Sequence, residues 1–236
     1  MDFIHATDQG LKTFVQKMEG IYQRSFRDKE TLVEEEEGFH ADPAVTNRRG
    51  AYLIAFRPPQ SYRSKAASMS GAIVEDHFLA TYYGQEEIHV TLSSYQDQDN
   101  FSPDQPILDK MALGIEEAMK VFPLDLRCEV IFKEVLFNQT TIVLAGYPDL
   151  GFLSATNTII AACHKKGLVL NPPWGAHSTI SRLCTDYPPR LVRPTLNRLA
   201  RNYGVLGYAP MESIDVGWCQ VTGAKFEFHV AKRFPI

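Results

Sequence analysis

The chain has 236 residues, of which 44% are hydrophobic and 22% charged, with a formal net charge of -4. That size and balance describe a folded chain of one large domain or two small ones, and the mildly acidic charge argues against a protein that coats duplex nucleic acid electrostatically. Charged residues, Pro or Gly interrupt each apolar stretch well short of the ~18 residues of a membrane span. The N-terminus, MDFIHATDQG, has neither the basic nor the apolar region of a secretory signal. Cys128, Cys163, Cys184 and Cys219 form no CxxC pair, so a thiolate zinc site is unsupported and a reduced, cytoplasmic protein is expected.

In chain order, Leu11, Phe14, Val15, Met18, Ile21 and Tyr22 recur at helical spacing. The acidic run Glu34 to Glu37 reads as a solvated face or loop, and Asp42-Pro43 and Asn47-Arg48-Arg49-Gly50 read as turn or linker. Residues 51–57, AYLIAFR, form a buried strand closed by Pro58-Pro59. Tyr62, Arg63 and Lys65 fall in the loop after it, read as solvated loop charge, with flanking a phosphate as the alternative. A helix over about 66–82 puts Met69, Ile73, His77 and Ala80 on one side, with Gly84 as its cap. Residues 88–93 are a strand and 107–122 a helix. Residues 127–137 and 140–146 make a hairpin about Asn138-Gln139. Residues 149–165 are helical with Gly167 as cap, 177–183 a strand, and 191–203 a helix with Pro194 near its start. A second hairpin, 213–222 and 225–231, turns at Gly223-Ala224.

The order helix, His-bearing strand, helix, hairpin thus occurs over about 66–146 and again over about 149–231. Two such halves pack about a pseudo-two-fold axis with matching strands beside each other. Hairpins with helices on one face make an α+β fold rather than a doubly wound parallel sheet.

The matching strands read His89-Val90-Thr91-Leu92 and His177-Ser178-Thr179-Ile180. Residues i and i+2 of a strand share a face. Each motif therefore offers an imidazole beside a hydroxyl, with Val90, Leu92 and Ile180 turned away. Two imidazoles and two hydroxyls suit metal-free phosphodiester hydrolysis. A neutral His takes a proton from water, a protonated His gives one to the leaving oxygen, and the threonines bind the non-bridging oxygens. Arg182 sits at an odd offset from His177, so an undistorted strand turns it to the opposite face; a bend brings it to phosphate. One His-x-Thr-x is a weak signal. Two, in corresponding places of two similar halves, are a strong one.

Paired motifs of this kind on a duplicated α+β frame resemble the two-histidine (2H) phosphoesterase superfamily, which includes the 2′-5′ RNA ligase-like proteins and cyclic phosphodiesterases. The resemblance covers roughly 51–231 and leaves residues 1–50 as an N-terminal extension, a helix plus acidic linker, ahead of a domain over 51–236. It implies a bilobal fold with a central cleft, no metal or other cofactor, and His89 and His177 as acid and base with Thr91 and Thr179 on phosphate. It also implies a nucleotide or short single-stranded oligonucleotide substrate: a 2′,3′-cyclic phosphate, a 2′-5′ linkage or a cyclic oligonucleotide signal. The alternatives are a module that binds a nucleotide or RNA end without cleaving it, and an antagonist of nucleotide-based immune signalling. Trp174 and Tyr95, beside the motifs, are candidates to stack on a base, as are Tyr82 and Tyr83. His5, His40, His77, His164 and His229 have no matching partner, Cys163-His164 is a poor dyad on a helix, and HExxH, GxxxxGK[ST] and GxGxxG are absent.

Overall fold

The computed structural model describes residues 1–26, 38–76, 79–202 and 206–236. Helix α1 (Asp8–Ser25) is capped by the Thr7 hydroxyl, which accepts from the Gly10 amide. Asp42 caps a single-turn helix, α2 (Pro43–Thr46), in a stretch expected to be only turn. There follow β1 (Gly50–Arg57), α3 (Gln60–Asp76), β2 (Val90–Gln98), α4 (Gln105–Met119), β3 (Glu129–Phe137), β4 (Thr141–Pro148), α5 (Leu150–Lys165), β5 (Ser178–Arg182), α6 (Pro189–Asn202), β6 (Gly207–Pro210), β7 (Ser213–Thr222) and β8 (Lys225–Pro235).

Several boundaries depart from expectation. Helix α3 starts directly after the Pro pair, not at 66, so Tyr62, Arg63 and Lys65 are helical; Tyr62 and Arg63 are buried. It ends at Asp76, and Ala80 instead bridges to Leu183. His77 and the acidic run Glu34 to Glu37 lie outside the described residues. Strand β6 has no counterpart in the sequence reading, being four residues long and ending in Pro. Gly167 does cap α5: it takes a positive φ of 81°, its amide bonds the His164 carbonyl and the Leu168 amide bonds the Cys163 carbonyl, a Schellman closure.

The strands form two antiparallel four-stranded sheets, ordered β2-β1-β7-β8 and β5-β4-β3-β6. Each sheet mixes the two halves. The first His-bearing strand shares its sheet with the late hairpin β7–β8, and the second shares its sheet with the early strands β3 and β4. The units that correspond are therefore β1-α3-β2 and β4-α5-β5, each ending in its motif strand at a sheet edge. The motif strands are not ladder partners. They meet where the Ser178 hydroxyl donates to the His89 carbonyl at 2.8 Å.

The N-terminal residues are not set apart from this frame. Met18, Tyr22 and Phe26 are buried with Leu136, Val143 and Ala145. Val143 stands opposite Thr179 in the ladder, and opposed residues share a face. Helix α1 thus covers the side of its sheet that carries the second motif. No described helix is long and apolar enough to cross a membrane.

Candidate active site

His89, Thr91, His177, Thr179 and Arg182 line one cavity of about 540 Å³, within the range of small-molecule sites. Each histidine immediately precedes the first residue of its strand. Each threonine follows on the same face, as the pleat requires. The next step departs from a regular pleat in both strands. Leu92 has no partner on β1, where Thr91 faces Ala55 and Ser93 faces Ile54. Ile180 has none on β4, where Thr179 faces Val143 and Ser181 faces Ile142. These are bulges. The pairs Leu92-Ser93 and Ile180-Ser181 turn inward and are fully buried, and the following residues, Ser94 and Arg182, emerge on the cavity side.

Arg182 is held in place before any ligand arrives. Its Nη1 donates to Asp42 Oδ2 at 2.5 Å and its Nε to the Tyr83 hydroxyl at 3.0 Å. Burial alone would lower its pKa, but Tyr83 and Asp42 raise it above the usual guanidinium value. Tyr83 is itself fixed by stacking on Phe226 at 4.6 Å; Tyr82 is exposed. At the rim, Arg49 Nε donates to Asp97 Oδ1 at 2.6 Å, and both line the cavity with Ser94 and Asn171.

The two imidazoles differ. His89 Nδ1 lies 2.6 Å from the Glu87 carbonyl, so Nδ1 carries hydrogen and Nε2 is left for chemistry. Burial lowers the His89 pKa, opposed by that carbonyl and by Asp215. His177 Nδ1 is buried and makes no hydrogen bond of good geometry among the described residues. Burial first, then His89 and Arg182, push its pKa down to about 3, and the Gly175 backbone opposes this only weakly.

Of the expected base-stacking residues, Tyr95 does not reach the cavity. A second irregularity, between Gly50 and Tyr52 on β1, leaves Tyr95 against Tyr52 at 6.2 Å and brings Asp97 to the cavity instead. Trp174 does line the cavity, but His177 stacks on it at 3.9 Å and Phe26 at 5.9 Å, so it is less a free platform than expected. Sequence reasoning misses Asp42, Arg49, Ser94, Asp97, Asn171 and Ser178. Aligning HVTLSS with HSTISR matches Ser93 to Ser181 and Ser94 to Arg182, a signal for the second pair; Ser178 and Asp97 lie on the motif strands themselves, and Asp42, Arg49 and Asn171 come from segments outside them. Cys219 also lines the cavity, its thiol pushed up to about 12 by burial. Among the described residues no group of three or more His, Cys, Asp or Glu is placed to hold a metal ion.

No protein-family model and no curated protein matches this chain. Among solved structures it is similar to TT0787 of Thermus thermophilus, at 14% identity and TM-score 0.50, over 78% of this chain and 97% of that one. It is similar to E. coli LigT complexed with 3′-AMP, at 11% identity and TM-score 0.50, over 80% and 98%. A protein described as a phosphoesterase matches at 12% identity and TM-score 0.51, again over 80% and 98%. The likeness is one of fold, and it is the bilobal fold that the paired motifs implied.

Proposed function

We propose that the chain is a phosphodiesterase of the 2H kind acting on a small nucleotide or short oligonucleotide. One observation carries this reading: two motif strands from different sheets, bulged at the same place, bring two imidazoles, two hydroxyls and a guanidinium to one cavity. A fold shared with a protein that binds 3′-AMP and with one described as a phosphoesterase supports both the ligand class and the chemistry.

In the proposed reaction Thr91, Thr179 and Arg182 hold the non-bridging oxygens and stabilise the charge that grows on them. His177, whose depressed pKa keeps it neutral, takes a proton from the attacking water. His89 donates a proton from Nε2 to the leaving oxygen. The Glu87 carbonyl and Asp215 favour its imidazolium, and the anionic phosphate favours it further. The phosphorus–oxygen bond to the leaving group breaks as the bond to water forms, and the two histidines end with their protonation states exchanged, His177 cationic and His89 neutral.

The test is a panel of 2′,3′-cyclic mononucleotides, 2′-5′ and 3′-5′ dinucleotides and cyclic dinucleotides, with product identity read by chromatography. Turnover of at least one, lost in His89→Ala and His177→Ala, is the expected result. Binding with no product over hours would make the chain a nucleotide-binding module. Turnover persisting in the double variant would remove the histidines from the chemistry.

A further inference from the structure

The motif histidines are held by different means. His89 is tethered through Nδ1 to the Glu87 carbonyl. His177 is held less firmly: its corresponding contact, to the Gly175 backbone, falls short of a hydrogen bond of good geometry among the described residues. Rotation of an imidazole about its last torsion is soft, so His177 needs packing to hold it. That packing is the Trp174 indole, at 3.9 Å and 27°.

The indole is braced in turn by the N-terminal helix. Phe26, the residue closing α1, stacks with Trp174 at 5.9 Å and 20°, and Tyr22 meets it edge-on at 5.8 Å and 81°. Helix α1 also reaches the backbone between Trp174 and His177. Met18 Sδ accepts from the Ala176 amide at 3.5 Å. A side chain at Gly175 would come within 2.9 Å of Met18 Cγ, so glycine at 175 lets the loop lie against the helix without displacing Met18.

We propose that α1, which precedes the two-motif region, is a positioning element for His177, acting through Trp174. Tyr22 and Phe26 fix the indole, the indole fixes the imidazole, and Met18 fixes the loop that carries both. The proposal rests on the catalytic reading of His177 for its kinetic consequence. Its structural content stands without turnover.

The test uses the full chain with Trp174→Ala, Trp174→Phe and Phe26→Ala, read by NMR titration of the two histidines and by kinetics. In Trp174→Ala the His177 ring becomes hydrated, and its pKa should climb from about 3 toward the ordinary 6.5, while His89, held by the Glu87 carbonyl, keeps its titration. Trp174→Phe should restore most of the shift. Displacing a reacting group by about 1 Å costs on the order of 100-fold, so kcat should fall by about that factor in Trp174→Ala. Phe26 is not among the residues lining the cavity; Phe26→Ala should therefore lower kcat, by about 10-fold on the same scale, and leave KM nearly unchanged. If Trp174→Ala fails to fold, Phe26→Leu, which removes the stacked ring and keeps most of the volume, takes its place in the titration. An unmoved His177 titration overturns the proposal whether or not the protein turns over substrate. A moved titration in a protein without phosphodiesterase activity supports the brace and defeats the catalytic reading.

Discussion

Leu92 and Ile180 hold the same place in two different sheets: each follows a motif threonine, and each is the inserted residue of a bulge. Because a strand alternates faces, one inserted residue reverses the facing of everything after it. The reversal is what delivers Arg182 to the cavity. Ser94 occupies the equivalent position in β2, so the two lobes share a backbone device and differ in the side chain it presents.

Arg182 is therefore asked to serve as a fork rather than a charge. Its Nε and Nη1 are already committed to Tyr83 and Asp42, which aims the rest of the guanidinium. Arg182→Lys keeps the charge and loses this geometry. Losing about 1.5 kcal/mol, the worth of one charge-assisted hydrogen bond, predicts a drop of about 10-fold in kcat/KM. Steady-state kinetics on the best substrate of the panel would measure it, and an unchanged value would mean that Arg182 does not reach the phosphate.

The threonines make a sharper claim, because Val has nearly the shape of Thr and no hydroxyl. Thr91→Val and Thr179→Val should each lower kcat by about 100-fold, the usual scale for removing one donor to a developing oxyanion. Both residues are only partly buried, so thermal stability should barely change. A kinetic loss matched by an equal loss of stability would point to a packing role instead.

Much of the site was legible in the sequence, and the reason is local. A motif of four residues on a strand is read by period two, and all four motif residues are where that period puts them. Arg182 and Tyr95 show where local reading stops. Both depend on bulges, which are set by pairing with β1 and β4 and leave no mark in the strand's own alternation. The exchange of strands between halves was likewise hidden, because periodicity identifies strands and not their neighbours. Asp42 was out of reach for a further reason. It reads as the start of a turn and does cap α2, yet it also accepts from Arg182 and from the Thr141 hydroxyl at 3.0 Å.

Asp215 predicts a large effect on stability. It is 1% exposed and accepts from Arg233 at 2.7 and 2.9 Å and from Arg57 at 3.3 Å. Arg57, 5% exposed, also donates to the Glu86 carbonyl at 3.4 Å, close in the chain to His89. Asp215→Ala would leave Arg57 buried with one fewer anionic partner. The expected cost is about 3–5 kcal/mol, the scale for breaking a buried pair, read as a shifted midpoint in urea. A loss under about 1 kcal/mol would place this network among exposed pairs of little worth.

The Ser178 hydroxyl joins the two motif strands through the His89 carbonyl. Ser178→Ala leaves that carbonyl without this donor, at a cost of about 1–3 kcal/mol. Because the bond lies between the two imidazole-bearing segments, kcat should fall further than the stability loss alone accounts for. Measuring kcat well below the melting temperature separates the two effects. Full activity there would show that the lobes hold their spacing without Ser178.

The histidines also set a pH dependence whose sign can be stated. Both have pKa values lowered on folding, His177 to about 3 from 6.5. Below about pH 6.5 the unfolded chain therefore binds protons that the folded chain does not. Their contribution to stability is complete above that pH and is lost as pH falls toward 3. An anionic phosphate between the two rings works in the opposite direction, because it favours the imidazolium form and raises both values. Binding of a slowly cleaved phosphorothioate dinucleotide, whose diester does not titrate near pH 6, should then be accompanied by proton uptake at that pH. Calorimetry in two buffers of different ionisation enthalpy would reveal it as a buffer-dependent heat. The same uptake means that ligand binds more tightly at pH 6 than at pH 8, and a thermal-shift series compared at equal free ligand concentration would report the larger stabilisation at pH 6. Heats that do not depend on the buffer, with a ligand shift that does not depend on pH, would show that phosphate does not settle between His89 and His177.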